Sequence, residues 1–294
     1  MASRILLLDH LNLSPLPNAL PPLFEFYQDI LGHLPDRRRE TDRSAASGTV
    51  WMNAGATQFH LSPGPPTPNV LDGRVHLHFS PAGFESLSRH PAATVESPAA
   101  VSLRCPYGNS FLCSPGPGAP SHAQPGAAPG AACRGISELE LFVVDGAHLA
   151  GIARFYERVF GARGELGGGK LRVPFGLHQA VTFREGPVEN GGYEDGFGPH
   201  VSLYVDDLRG VWESAAAIDP RLIFVNPRFK NKAYTIEQAE EQCIFRLLEI
   251  VDPEDPGRVL LRMEHEVTSA VTKDGGRNPA YPREVAVMNG GGAD

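Results

Sequence analysis

The feature that most constrains the fold is a short pattern that occurs twice. Phe26-Tyr27-Gln28-Asp29-Ile30-Leu31-Gly32 and Phe155-Tyr156-Glu157-Arg158-Val159-Phe160-Gly161 share the form Phe-Tyr-x-x-apolar-apolar-Gly. Each follows a strand-like segment, residues 5–13 in one case and 136–143 in the other, at nearly the same distance. Leu23, Phe26, Tyr27, Ile30 and Leu31 fall at helical spacing, as do Ile152, Phe155, Tyr156, Val159 and Phe160, and a glycine stops each helix. Self-similarity of this kind argues for duplication of one strand–helix unit.

Each half holds a second, weaker copy. Residues 74–79 read as a strand, 82–88 as a short helix, and 101–105 and 110–113 as two further strands. In the later half, residues 200–205 read as a strand, and Asp206 or Asp207 can cap a helix carrying Leu208, Val211, Trp212 and Ala215. Strands at 243–250 and 258–267 close that copy. The stretch SPGPGAPSHAQPGAAPGAA has no apolar period and reads as a linker, and the Gly-rich end as a frayed tail. The expected organisation is a first domain at 3–113, a linker at 114–134, a second domain at 135–267 and a flexible tail at 268–294.

The 294 residues suit two cores of ordinary size. A net charge of −8 gives no basic stripe for nucleic acid, and Arg37-Arg38-Arg39 is followed at once by Glu40 and Asp42, as in a solvated turn. No apolar stretch reaches membrane-spanning length, and the start lacks a secretory pattern, so a cytoplasmic protein is expected. Cys105, Cys113, Cys133 and Cys243 show no CxxC pairing and read as reduced thiols. Gly167-Gly168-Gly169-Lys170 lacks phosphate-loop spacing and reads as a turn.

A strand followed by His10, the Phe-Tyr-x-x-x-Leu-Gly helix, and His200 leading into Val205-Asp206-Asp207-Leu208 together resemble the vicinal-oxygen-chelate superfamily of glyoxalases, bleomycin-resistance proteins and extradiol dioxygenases. The resemblance covers both halves but not the linker or tail. It implies an α+β fold of tandem βαβββ modules, forming two glyoxalase-like domains with curved mixed sheets.

Strand alternation separates two faces. Leu11, Leu13, Phe59, Leu61, Val75, Leu77 and Phe79 should meet helices, while His10, Asn12, Gln58, His60, His76 and His78 share the opposite faces. By the resemblance, His10, His60 and His76 stand at metal-ligand positions of the first domain. The fourth position, after Gly108-Asn109, is Leu112, so the carboxylate of glyoxalase-type chemistry is missing there. In the second domain Glu138, His200 and Glu264 match ligand positions, with Glu138 where the family has histidine and Thr182 a poor donor. Glu138 and Glu264 are also the candidate acid–base residues. Arg184, Arg262, Tyr204 and Asn12 are candidate substrate contacts, and Arg184, Arg246 and Arg262 can neutralise a charged site. Residues 228–242 form a polar insertion that reads as a surface segment or a lid.

These readings point to a metal-dependent lyase, isomerase or dioxygenase. It would act on a small oxygen-rich substrate through Fe, Zn, Ni or Mn, as a monomer or homodimer, with no nucleic-acid or membrane partner. The alternatives are a non-catalytic small-molecule binding protein of the same fold, and an assembly role.

Overall fold

The computed structural model describes residues 3–15, 20–36, 48–55, 57–64, 68–116, 132–176, 178–189 and 198–281. The Arg37–Arg39 turn, most of the linker and the Gly-rich end of the tail lie outside the described residues.

The first module runs β1 (Ile5–Leu13), α1 (Leu20–Leu23, continuing as a π-helical stretch Phe24–Ile30), β2 (Leu34–Pro35), β3 (Val50–Ala54) and β4 (Thr57–Leu61). The second runs β5 (Gly73–Phe79), α2 (Pro81–Ser88), β6 (Thr94–Ser97), β7 (Ala100–Arg104) and β8 (Ser110–Pro115). The third runs β9 (Cys133–Val143), α3 (His148–Phe160), β10 (Glu165–Gly167), β11 (Lys170–Pro174) and β12 (Ala180–Glu185). The fourth runs β13 (His200–Val205), α4 (Leu208–Ile218), β14 (Ile223–Phe224), α5 (Ile236–Gln242), β15 (Ile244–Asp252) and β16 (Asp255–Ser269). The α+β class and the fourfold strand–helix–strands plan expected from the sequence are both present.

The strands form two mixed eight-stranded sheets, in the orders β14-β15-β16-β13-β1-β4-β3-β2 and β10-β11-β12-β9-β5-β8-β7-β6. The first module thus shares a sheet with the fourth, and the second with the third. Within modules, β1/β4, β5/β8 and β13/β16 pair in parallel and the outer pairs are antiparallel. By density of contacts the chain divides into two compact units, Met1–Asp9 with Phe142–Asp294, and His10–Leu141. The division falls inside β1.

In the unit His10–Leu141, the repeated helix is a π-helix where the spacing suggested an α-helix. The backbone N–H of Leu31 reaches Phe26 O at 3.0 Å, five residues back. Pro21 and Pro22 supply no N–H to the turn before it. The widened coil still buries Leu23, Phe26, Tyr27 and Leu31 of the set expected to form the core face, while Ile30 is left half-buried. In the other unit α3 is a regular helix that buries Ile152, Phe155, Tyr156, Val159 and Phe160 completely. Gly161 ends it at φ +65, the left-handed conformation that glycine adopts without a Cβ penalty. Tyr156 Oη donates to His265 Nε2 at 2.7 Å, while His265 Nδ1 donates to Met263 O at 2.9 Å. Both ring nitrogens of this fully buried histidine are therefore used, and its tautomer is fixed. Asp207 caps α4, accepting from Gly210 N at 2.8 Å. Gly168 and Gly169, both at positive φ, make the two-residue turn of the β10–β11 hairpin, as the Gly-rich run suggested.

Regular pairing continues past Thr268. β16 extends to Ser269, Val271 bridges to Arg277, and Asn278 Nδ2 donates to Ser269 O at 2.8 Å. Tyr281, 4% exposed, packs on Tyr204 with ring centroids 4.9 Å apart. One aromatic anchor holds a segment whose polar composition reads as a loose tail.

Gly73 gives a sharp test of the β5–β9 pairing. A Cβ at this position would lie 2.0 Å from Glu140 O, and φ is +153. Gly73→Ala should lower stability by about 2 kcal/mol or more, read as a lowered melting temperature; an unchanged melt would refute the close approach.

Candidate functional site

In the unit His10–Leu141, parallel pairing sets His10 opposite Gln58 and Asn12 opposite His60. All four extend to one face, as alternation requires. His10 and His60 are buried, and their rings stack with centroids 3.6 Å apart and planes at 27°. Trp51, paired with His60 across β3 and β4, lies with its centroid 3.6 Å from the same ring. His60 Nε2 is 3.1 Å from Gln58 Oε1, and Asn12 Nδ2 donates to Ser62 Oγ at 3.3 Å.

His76 does not join His10 and His60. It lies in the other sheet, opposite Glu138 on β9 and Leu112 on β8. Burial lowers its pKa, and the Glu138 and Glu140 carboxylates oppose that shift. Glu140 forms an ion pair with Arg74 at 3.0 Å. Leu112 therefore stands directly beside His76, and the missing donor inferred from the sequence is an apolar neighbour in the structure.

In the other unit, the β13–β16 register sets His200 opposite Glu264 and Ser202 opposite Glu266. Arg246 enters from β15, opposite Glu266. Its side chain is 4% exposed and grips both carboxylates, Nε to Glu264 Oε1 at 2.8 Å and Nη2 to Glu266 Oε2 at 2.5 Å. Asn226 Nδ2 donates to Glu264 Oε2 at 2.8 Å, so protein groups contact both oxygens of Glu264. Ser202 Oγ lies 3.4 Å from Glu266 Oε1.

The insertion after β14 is stitched to this cluster. Asn231 accepts from Arg246 Nη1 through its backbone and side-chain oxygens, each at 3.3 Å. The Phe229 ring lies 4.2 Å from the Arg246 guanidinium carbon, close enough for cation–π attraction, and 5.8 Å from the His200 ring. Asn226, Phe229 and Asn231 were not singled out by sequence reasoning. A polar segment interrupting a module is the only signal that pointed near them.

The other expected substrate contacts are dispersed. Arg262 is exposed and pairs with Glu249 at 3.0 Å. Tyr204 is buried and donates its hydroxyl to Ala280 O at 2.8 Å. Arg184 lies with its guanidinium carbon 5.0 Å from the Phe142 ring.

Each unit thus holds donors suited to a divalent transition metal: the buried His10 and His60 in one, and the buried His200 with the partly buried Glu266 in the other. Of the residues expected to bind metal, His10 and His60 stack on each other, and His200 stands across from Glu264. Glu264 is held by Arg246 and Asn226, and His76 and Glu138 are neighbours in the other sheet. Glu266, which sequence reasoning did not single out as a ligand, lies two residues beyond Glu264 and shares its face, so alternation alone could not separate the two.

No protein-family model matches the sequence, and no curated protein matches it. Solved structures do. A "putative dioxygenase" from Bacillus subtilis subsp. subtilis str. 168 superposes with a TM-score of 0.56 at 13% identity, covering 98% of this chain and 96% of that one. Glyoxalase I from Zea mays superposes with a TM-score of 0.53 at 12% identity, covering 91% and 92%. Identities this low carry the architecture and not the reaction. Among the described residues no helix is long and apolar enough to cross a membrane. Over most of its length, the chain shares the fold of these putative dioxygenase and glyoxalase I structures.

Proposed function

We propose that this chain is a metal-dependent enzyme acting on a small oxygen-rich substrate, with His10 and His200 among the residues that hold a cation. The buried, stacked His10 and His60 in one unit, and His200 beside the Arg246–Glu264–Glu266 cluster in the other, support this reading. Imidazole and carboxylate donors suit divalent transition metals. A cation bound there would act as a Lewis acid towards adjacent substrate oxygens.

The protein's own residues prepare the site. Arg246 neutralises Glu264 and fixes Glu266, so one carboxylate serves the site while the other secures the clamp. Phe229 covers Arg246 and adjoins His200, limiting water around both. Burial keeps His10 and His200 largely out of solvent. With both oxygens in contact with protein donors, Glu264 is read as a structural partner of Arg246 and not as the acid–base residue.

Elemental analysis of purified protein tests the reading. Near-stoichiometric Fe, Mn, Zn or Ni is expected. His10→Ala and Glu266→Gln should each weaken retention by more than the roughly 10–100-fold that loss of a supporting partner costs. Glu264→Gln should retain the metal. Metal-free protein that stays metal-free after reconstitution would defeat the proposal and favour the non-catalytic binding protein.

A further inference from the structure

β11 and β12 carry a polar row on the face turned away from α3. On the face towards α3, Leu171, Val173, Val181 and Phe183 are fully buried, and the Phe183 ring lies 5.7 Å from that of Tyr156. Alternation then places Lys170, Arg172, Thr182 and Arg184 together on the opposite face. The register gives the same grouping: Arg172 stands directly across from Thr182, and Lys170 across from Arg184. Exposure falls from exposed Lys170 through half-buried Arg172 and Arg184 to Thr182 at 1%. Thr182 Oγ1 is buried and has no hydrogen-bond partner among the described residues. Such a hydroxyl lacks the bond that buried polar groups ordinarily make. On β10 the same face carries Glu165, across from Arg172, and Gly167, across from Lys170. A Cβ on Gly167 would meet nothing within 4 Å, so the face is open beside Lys170. Three cations against one carboxylate make this face of the three strands positive, in a chain of net charge −8.

We propose that Lys170, Arg172, Thr182 and Arg184 form a binding site for the carboxylate of a small organic acid. The Thr182 hydroxyl donates one hydrogen bond to the anion, and the guanidinium groups of Arg172 and Arg184 neutralise it. Each guanidinium carries five N–H donors in a planar fork that matches a carboxylate, so contact with one neighbour leaves donors for a ligand. The Phe142 ring, 5.0 Å from the Arg184 guanidinium carbon, supports that group through its face and leaves the donors at its edge for the anion. Lys170, at the open end, draws anions towards the site. β11 and β12 are interior strands whose backbone is committed to pairing, so they offer no nest of N–H groups of the kind that cradles phosphate. The site needs no metal and lies on strands other than β13, which carries His200, so it stands apart from the metal reading.

Calorimetric titration of the full chain with succinate, and separately with inorganic phosphate, tests this. Succinate should bind the wild type, more weakly as salt is raised. Thr182→Val keeps the shape and removes only the hydroxyl. It should weaken succinate binding roughly 10-fold, and without ligand it should melt at the wild-type temperature or above. Arg184→Gln, checked for a wild-type-like circular dichroism spectrum, should weaken binding roughly 10–100-fold. Undiminished binding in either variant would overturn the proposal. A lowered melt of unliganded Thr182→Val would also overturn it, because the hydroxyl would then serve the fold. Phosphate bound in preference to succinate would defeat the carboxylate assignment, and a wild type that binds no succinate would defeat the site itself.

Discussion

Arg246→Met should lower stability by about 3–5 kcal/mol, the cost of leaving buried charge unpaired. The guanidinium is 4% exposed, and the two carboxylates it joins are 1% and 13% exposed at their side chains. Methionine matches much of the volume, so the loss comes from charge and hydrogen bonding and not from a cavity. Glu264 would keep only its contact with Asn226 from the set described above. At this chain length the change corresponds to a drop in melting temperature on the order of 10 °C. Adding Glu264→Gln should recover part of the loss, because one of the two uncompensated carboxylates is then neutral. Arg246→Lys should fall between, since it keeps the charge but not the fork that spans two carboxylates. Thermal melts of the three variants decide the matter, and a single substitution with no effect would show that Arg246 is not the element joining β15 to β16.

Stability should also fall steeply as pH is lowered from about 6.5. Two histidines are fully buried and held neutral. Burial lowers the pKa of His33 to about 3 and that of His265 to about 4. Neither nitrogen of His33 has a hydrogen-bond partner among the described residues, and its ring stacks on Phe59 with centroids 5.3 Å apart. An unfolded histidine titrates near 6.5. Below that value the unfolded chain binds protons that the folded chain refuses, so acid favours unfolding. Each group contributes a slope of about 1.4 kcal/mol per pH unit until its folded pKa is reached. Between pH 6.5 and 4.5 the two together cost about 5 kcal/mol at most. Above pH 7 their contribution is complete and constant. His33→Phe should halve the slope and leave neutral-pH stability equal or improved, since it removes two unpaired polar atoms from an aromatic setting. Denaturant midpoints across this pH range provide the measurement, and a flat profile would refute it.

Much of the fold was legible because it is written in periodicity. Phe155, Tyr156, Val159 and Phe160 specify a buried helix face, Gly161 its end and Asp207 the cap of the next helix. Hydrogen-bonding register within a module follows from alternation, so His10 and His60 were expected on one face. What periodicity does not encode is which module shares a sheet with which. His10, His60 and His76 all alternate correctly, yet His76 lies in the other sheet beside Glu138. The different settings of Glu264 and Glu266 have the same character. Both carboxylates share a face and both meet Arg246, and only Asn226, reaching in from another element, sets Glu264 apart. The π-helical coil in place of an α-turn, and the aromatic anchor Tyr281 in a polar tail, likewise depend on partners distant in sequence.

The sheet order has a consequence for how the chain is made. β1, synthesised first, has β13 and β4 as its neighbours, and β13 belongs to the last module. The sheet joining the second and third modules can be completed while the ribosome is still at work. The sheet containing β1 must wait for nearly the whole chain. Until then β1 presents an open edge, the template on which strands of other molecules add. Non-local pairing of this kind slows folding and lengthens the interval of exposure. Truncations within β13–β16 should therefore aggregate rather than accumulate as a soluble half, and chaperone demand should concentrate on the nascent chain before its final module emerges.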